Sequence, residues 1–206
     1  LLAAYRQGIF PWYSEGQPVM WWCTSPRMVL DTRHINISDS LRKKLKQVLK
    51  QPEWEIKVDT AFQEVITACA QLQRKDQDGT WITEEIIAHY AELHQRGIAH
   101  SVETWFEGKL VGGLYGINLG TMFYGESMFR YITDASKIAL AALCAWCVEV
   151  DIHLIDCQQQ TSHLQSMGAH PIPKDSFLDW IEGHIDQPSP LWKWDKSVLY
   201  AYNKSS

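Results

Sequence analysis

The stretch Leu154-Ile155-Asp156-Cys157-Gln158 decides the fold that the sequence predicts. Its first residues are typical of a buried β-strand, which then runs into a carboxylate and a carboxamide two residues apart. Side chains two apart in a strand share a face, so we expect Asp156 and Gln158 to project together at the strand's end. Such carboxyl ends are where α/β proteins often place their chemistry. The alternative is that Asp156 caps the next helix and Gln158 lies in a loop.

The segments before this strand predict an α+β fold. Residues 101–127 alternate in polarity and turn at Glu107-Gly108 and Asn118-Leu119-Gly120, which indicates an antiparallel meander of three strands. A helix is expected from about residue 133 to 150, followed by the strand at 152–156. This order favours an acetyltransferase-like (GNAT-like) core with a mixed, mostly antiparallel sheet, in which the strand at 154–156 is central.

Helical spacing of apolar residues predicts further helices, and capping residues predict their ends. We expect helices at 38–50, 59–73, 83–96 and 161–167, one from Asp175 or Ser176 to Ile181, and a short one ending near Gly8. A last strand is expected at 197–202. We expect two domains, a small N-terminal α/β domain at residues 1–30 and the acetyltransferase-like domain at 31–206. The first is expected to be truncated, because the chain opens on Leu1 instead of Met.

Composition limits the class of protein. The chain has 206 residues, of which 46% are hydrophobic, so it can bury a substantial core. Its net charge of −5 provides no global basic field, so a nucleic-acid site would have to be a local patch. Five cysteines in apolar surroundings favour free, buried thiols in a reducing compartment. With no apolar run of roughly 18 residues and no visible signal peptide, we expect a soluble, cytoplasmic protein.

One local basic patch lies on the helix predicted at 38–50. Five cations and no acid fall within nine residues on the face opposite the apolar positions: Arg42, Lys43, Lys44, Lys46 and Lys50. The patch is either an ordinary solvated helix face or a contact surface for a polyanion.

Four of the ten tryptophans bear on function through their positions. Trp12 lies in a loop with nearby glycine and proline, and Trp81 lies just before the helix that Thr83 caps. Both are positions at which a tryptophan could stack on a base. Trp21 and Trp22 lie in a strand-like run, and at least one of them is expected in the core.

Two other motifs are best explained without a cofactor. Cys144-Ala145-Trp146-Cys147 lies inside an apolar helix without a second such pair, so core packing is favoured over redox or zinc chemistry. The loop at 130–137 contains no glycine and carries an acid at the helix start, which disfavours a CoA pyrophosphate site.

Gly125 and Glu126 form a second candidate for chemistry. A glycine inside a strand often marks the close approach of a ligand or of backbone. Glu126 is either a surface residue of the sheet or, together with Asp156, part of an acidic site at the strand ends.

Beyond these patterns, the chain resembles the bacterial leucyl/phenylalanyl-tRNA–protein transferases. The matching segments cover nearly the whole chain in the family's order: Ala4-Tyr5, Gly8-Ile9-Phe10-Pro11-Trp12, Trp21-Trp22, Pro26-Arg27, Gly79-Thr80-Trp81-Ile82-Thr83, His100-Ser101-Val102-Glu103, Leu110-Val111-Gly112-Gly113-Leu114-Tyr115-Gly116, Gly125-Glu126-Ser127-Met128-Phe129, Ala135-Ser136-Lys137, Leu154-Ile155-Asp156-Cys157-Gln158 and Gly168-Ala169. The chain departs from the family's usual residues at Cys23-Thr24-Ser25, Arg130, Asp134 and Lys174.

The resemblance implies an enzyme that moves Leu, Phe or Met from aminoacyl-tRNA to a protein's N-terminal Arg or Lys and so marks that protein for degradation. It implies no metal, CoA or other cofactor, no membrane partner, and a monomer. Two alternatives remain, a CoA-dependent N-acyltransferase of the same fold and a non-catalytic RNA-binding module.

The resemblance also implies roles for individual residues. Trp12 and Trp81 would stack on the 3′-terminal adenosine, and the Arg42–Lys50 face would hold the tRNA backbone. The pocket for the donor amino acid would be formed by Leu114, Phe123, Gly125, Leu140, Leu143 and Ile155. Asp156, Gln158 and Glu126 would form the catalytic centre, with Asp156 acting through Gln158 on the acceptor α-amine.

Overall fold

The computed structural model describes residues 1–14, 16–71 and 81–203. Its strands are β1 Phe10–Pro11, β2 Trp21–Trp22, β3 Arg27–Asp31, β4 Trp54–Val58, β5 Ala99–Phe106, β6 Lys109–Leu119, β7 Met122–Arg130, β8 Leu154–Gln158 and β9 His170–Ile172. Its α-helices are α1 Leu2–Tyr5, α2 Asp39–Lys50, α3 Phe62–Gln71, α4 Glu84–Gln95, α5 Ala135–Glu149, α6 Ser162–Ser166 and α7 Lys174–His184. Two 3-10 helices span Thr32–His34 and Lys196–Asn203.

Seven strands form one sheet in the order β4-β5-β6-β7-β8-β3-β9. Neighbouring strands in it are antiparallel except β7 and β8, which are parallel. The α+β class and the mixed, mostly antiparallel sheet are therefore confirmed, with β8 in the sheet's interior. The closer likeness to acetyltransferases stays a prediction.

The meander of β5, β6 and β7 follows the predicted turns. Gly108 and Gly120 have φ of 70° and 59°, in the left-handed region that glycine adopts without steric cost. Ser38 and Thr83 accept hydrogen bonds from the backbone N–H groups of Leu41 and Ile86 and so cap α2 and α4 as predicted.

The two faces of the sheet bury two separate apolar clusters. Helices α2 and α5 cover one face, where Leu114, Phe123 and Ile155 point. Helices α3, α4 and α7 cover the other. Because strand residues alternate between faces, the tyrosines next to Leu114 and Phe123 in sequence belong to the second cluster. Cys144 and Cys147 are buried in α5 as predicted, whereas Cys23 is exposed and does not follow the expectation of buried thiols.

The predicted strand at 197–202 is wrong, because this segment is a 3-10 helix. Val198 and Leu199 are both buried although they are adjacent, which a half-buried strand does not allow. The helix instead packs on α2 and α5, where Tyr202 Oη donates to the Ala141 carbonyl at 3.0 Å.

The expectation that Trp21 or Trp22 lies in the core is also wrong, since their exposed fractions are 48% and 39%. They form β2, which pairs only with β1 in the part of the chain described, so no second layer covers them. Helix α7 begins at Lys174 with Pro173 at its N-cap, slightly before the predicted Asp175 or Ser176.

Strands β3, β4 and β9 were not predicted. β3 spans the expected domain boundary between residues 30 and 31 and pairs with both β8 and β9, so it is part of the large sheet. None of the helices in the described ranges is long and apolar enough to cross a membrane.

Candidate functional site

A cavity of about 410 Å³ lies where β7 and β8 part. Their parallel ladder covers only the pairs Phe123–Ile155 and Tyr124–Asp156, although both strands continue further. We call this space the β7–β8 cavity. Its walls are Phe10, Pro11, Trp12, Trp81, Leu114, Tyr115, Phe123, Gly125, Glu126, Ser127, Met128, Leu140, Leu143, Ile155, Cys157, Gln158, Gln159, Thr161, His163 and Leu164.

The cavity brings together most of the residues that the sequence singled out. Ten of them line it: Trp12, Trp81, Leu114, Phe123, Gly125, Glu126, Leu140, Leu143, Ile155 and Gln158. An added Cβ at Gly125 would meet the Asp156 carbonyl and the Ile155 side chain at 3.5 Å, an ordinary contact distance, so no close approach of the backbone requires glycine on this part of the wall. Asp156 and the cations of α2 are not part of the wall.

Two tyrosines hold Glu126 at the cavity wall. Tyr5 Oη and Tyr90 Oη donate to its two carboxylate oxygens at 2.7 and 3.0 Å, and the two phenols also contact each other. Burial raises the pKa of Glu126 from 4.5 to about 7, against the opposing effect of the two phenol hydrogen bonds. Glu126 is therefore poised to change its charge near neutral pH.

Asp156 faces away from the cavity and is completely buried against Arg27. The guanidinium donates from Nε to Oδ1 at 2.7 Å and from Nη2 to Oδ2 at 2.6 Å. Burial acts to lower the pKa of Arg27, but the Asp156 carboxylate outweighs it and the pKa lies above its ordinary value. Both groups are thus held as an ion pair.

Gln158 reaches the cavity although Asp156 does not, because the strand alternation ends between them. Gln158 has φ of 54°, a left-handed value that is uncommon outside glycine. Its backbone N–H donates to Asp156 Oδ1 at 3.0 Å, so the carboxylate turns back to the chain and does not cap α6, whose N-cap is Thr161. The expectation that the two side chains project together is therefore not met.

Gln158 as a whole residue is 8% exposed, and its buried Nε2 has no hydrogen-bond partner among the described residues. A buried amide donor without a partner is costly, and because Gln158 lines the cavity its amide is a candidate to donate to a bound ligand. This amide is the clearest chemical feature of the β7–β8 cavity.

Trp12 and Trp81 both lie on the cavity wall and are half-buried. Trp12 is fixed by Trp22, whose Nε1 donates to the Trp12 carbonyl at 2.8 Å and whose ring meets the Trp12 ring edge-on. Strand β2 thus packs behind a residue of the cavity wall. These contacts with Trp12 hold the Trp22 side chain in place although it is exposed.

The cations of α2 divide into two groups. Arg42 donates to the Tyr202 carbonyl at 2.9 Å, and Lys44 lies over the Trp54 ring at 4.2 Å, so both pack against their own chain. Lys43, Lys46 and Lys50 are exposed. The exposed three are the better candidates for contact with a polyanion.

Sequence reasoning assigned no role to Arg27, Tyr5, Tyr90 or His163. The signal for Arg27 was a lone cation at the head of an apolar run, Met28 to Leu30. The two tyrosines carried no signal, because their partner Glu126 is distant in sequence. His163 lines the cavity from α6, and burial together with Lys137 and Arg130 lowers its pKa.

The cavity suits an apolar group carried on a polar, acyl-type centre. Aliphatic and aromatic side chains form most of its wall, while the Gln158 amide and the Glu126 carboxylate supply a neutral donor and a titrating acceptor. Within the described ranges, no three His, Cys, Asp or Glu side chains are grouped to hold a metal ion.

The family described as "Leucyl/phenylalanyl-tRNA protein transferase" has a sequence profile that matches residues 29–182, and the profile of its N-terminal domain matches residues 1–25. The chain is 60% identical over 200 residues to the leucyl/phenylalanyl-tRNA–protein transferase of Cupriavidus pinatubonensis, covering 97% of this chain and 80% of that protein. It is 56% identical to that of Ralstonia pickettii, covering 97% and 81%, and 53% identical to that of Burkholderia orbicola, covering 98% and 79%.

Among solved structures, a functionally unknown conserved protein from Staphylococcus epidermidis aligns with a TM-score of 0.44 and 8% identity, over 80% of this chain and 68% of that one. This likeness is too low to assign the fold.

Proposed function

Because this chain belongs to the leucyl/phenylalanyl-tRNA–protein transferase family, it is an aminoacyl-tRNA–protein transferase, and we propose that its reaction takes place in the β7–β8 cavity. There a leucyl, phenylalanyl or methionyl group on tRNA would meet the α-amine of a protein that begins with Arg or Lys. The observation that carries this assignment is the unpartnered amide of Gln158 in an apolar cavity.

The donor amino acid fits the apolar part of the cavity. The volume of about 410 Å³ accommodates a branched or aromatic side chain among Leu114, Phe123, Leu140, Leu143 and Ile155. Trp12 and Trp81 then hold the terminal adenosine by stacking on its base, a mode of recognition that single-stranded RNA ends permit. The exposed lysines of α2 hold the tRNA backbone further away.

The chemistry requires positioning more than activation, because the aminoacyl ester is already reactive. The neutral α-amine attacks the ester carbonyl, the new C–N bond forms, the ester C–O bond breaks, and the amine proton passes to the ribose oxygen that leaves. The Gln158 Nε2 donates to the carbonyl oxygen as negative charge develops there, and its Oε1 orients the amine N–H. Asp156 supports this geometry from beneath, through the Gln158 backbone N–H.

Glu126 selects the cationic acceptor. When ionised, it lies on the cavity wall as an acceptor for the ammonium or guanidinium of the incoming N-terminal residue. Tyr5 and Tyr90 hold its carboxylate in one orientation. We place this enzyme in the cytoplasm as a monomer that acts on aminoacyl-tRNA and proteins and uses no cofactor.

The test is transfer of radiolabelled leucine from Leu-tRNA to a peptide that begins with Arg, with and without prior ribonuclease treatment. Gln158→Ala should lower kcat by about 10²- to 10³-fold, as loss of an oxyanion donor does, and leave KM for Leu-tRNA within a few-fold. Gln160→Ala, an exposed glutamine two residues on, is the matched control and should keep the wild-type rate. Unchanged transfer by Gln158→Ala would refute the assignment, as would acetyl-CoA turnover by a protein that transfers no leucine.

A further inference from the structure

A fully buried arginine lies beneath the cavity. The side chains of Arg27 and Asp156 are 1% and 0% exposed, and two parallel N–H groups of the guanidinium engage both carboxylate oxygens. A buried ion pair of this kind is weak evidence for stability, because desolvation offsets most of the attraction. The pair joins Arg27 of β3 to Asp156 of the neighbouring strand β8, and its presence there requires another explanation.

Three other groups fix the guanidinium itself. Nη1 donates to the Gly8 carbonyl at 3.0 Å, and the rings of Phe10 and Phe177 lie on it at 4.8 and 4.5 Å from their centroids to Cζ. These contacts, together with the two hydrogen bonds to Asp156, hold the guanidinium in one orientation. A lysine ammonium can neither form the two-pronged contact nor stack in this way.

The same carboxylate also holds the backbone of Gln158. Oδ1 accepts the Gln158 backbone N–H at 3.0 Å, and Thr24 Oγ1 donates to the Gln158 carbonyl at 3.1 Å. These two contacts keep Gln158 in its left-handed conformation, which an L-residue does not adopt readily by itself. That conformation is what brings the side-chain amide to the cavity wall.

We propose that Arg27 is a positioning residue for aminoacyl transfer, which acts through Asp156 to fix the Gln158 amide. Arg27 orients the carboxylate, the carboxylate holds the Gln158 N–H, and the backbone conformation then aims Nε2 at the reacting carbonyl. Arg27 touches no substrate. The inference rests on the proposed function of Gln158, and it assigns to Asp156 a structural hold on Gln158 in place of proton transfer.

A double-mutant cycle tests the chain of contacts. Arg27→Lys should lower kcat for leucyl transfer by roughly 10- to 100-fold with a smaller change in KM, because the bound substrate is kept while the amide is misplaced. In the Gln158→Ala background, where no amide is left to position, Arg27→Lys should change kcat by less than about threefold. If the loss of kcat in the double variant equals the product of the losses in the two single variants, the proposal is overturned.

Loss of stability must be separated from loss of positioning. All rates are measured at a temperature at which circular dichroism shows each variant folded. The matched control is Lys196→Met, which is expected to destabilise the fold and to keep kcat, because Lys196 and its three hydrogen-bond partners are not part of the cavity wall. If Arg27→Lys does not fold, Asp156→Asn replaces it in the same cycle with the same expectation. Full activity of Gln158→Ala would refute the proposed function, whereas an impaired Gln158→Ala with multiplying losses refutes only the role of Arg27.

Discussion

Glu126 shows how burial converts an ordinary carboxylate into a group that titrates at neutral pH. Its charged form is disfavoured by loss of solvent and by the Asp156 carboxylate, and favoured by Tyr5, Tyr90 and Arg27. The balance leaves its pKa at about 7, so the charge that we propose holds a cationic acceptor is present above this pH and absent below it.

Transfer to an Arg-initiated peptide should therefore rise with pH through about 7 at subsaturating peptide. Tyr90→Phe removes a hydrogen bond that stabilises the charged form, so its midpoint should move to higher pH. Glu126→Gln should lower kcat/KM for the peptide and remove this part of the profile. The measurement is kcat/KM for the peptide between pH 5.5 and 8.5 in each variant. An unaltered pH profile in Glu126→Gln would contradict the assignment of this titration to Glu126.

At the level of residues, the sequence could predict the apolar wall but not the polar arrangement. Leu114, Phe123 and Ile155 were expected there from the family resemblance, and strand alternation, which is a local property, places their side chains on one face. The orientation of Asp156 depends on Arg27, 129 residues away in the chain, and that of Gln158 on a left-handed φ. No periodicity encodes either contact, so the expected shared face of Asp156 and Gln158 was not found.

Among the elements, α2 combines a buried face with a cationic one. Leu41, Leu45 and Val48 pack into the core, while Lys43, Lys46 and Lys50 are exposed on the other side. The amphipathic pattern was readable from sequence because it is contained within one helix. The sequence did not show that Arg42 and Lys44 pack on their own chain, because their partners lie in the C-terminal 3-10 helix and in β4.

Replacing the three exposed lysines by glutamine should raise KM for Leu-tRNA and leave kcat and thermal stability unchanged. The slope of log KM against log salt should become shallower by roughly one unit per lysine that contacts a phosphate. The control for net charge compares the pair Lys109→Gln and Lys193→Gln, at exposed positions outside α2, with a variant that carries two of the three α2 substitutions. An equal effect of the control pair would show that α2 makes no specific contact.

For the whole molecule, the last residues of the chain close the core. Trp192 stacks on His100, packs against Trp146 and Phe123, and donates Nε1 to Asn118 Oδ1 at 3.1 Å. Lys196 Nζ donates to the carbonyls of Val48, Gln51 and Trp54 at 3.1, 2.9 and 2.8 Å, which joins the tail to the end of α2 and the start of β4. A strand was expected at 197–202, but these long-range contacts stabilise a 3-10 helix there instead.

Lys196→Met should destabilise the fold by about 2–3 kcal/mol, because three carbonyls lose a charged donor in a half-buried position. For a chain of this size the loss corresponds to a fall in Tm of roughly 5–10 °C. Thermal unfolding followed by circular dichroism measures it, with Lys193→Gln as a neighbouring exposed control. An unchanged Tm would mean that water satisfies the three carbonyls equally well.

Because the β7–β8 cavity exists only where β7 and β8 separate in the folded sheet, binding of a ligand in this cavity is linked to the folding of the chain. The cavity takes its walls from residues between Phe10 and Leu164, so only a chain that is folded over most of its length contains a complete cavity. A donor analogue in the cavity binds the native state alone and shifts the unfolding equilibrium in proportion to the logarithm of its concentration. Occupancy of the cavity therefore stabilises the whole fold, including the packing of the N-terminal segment that supplies Phe10, Pro11 and Trp12.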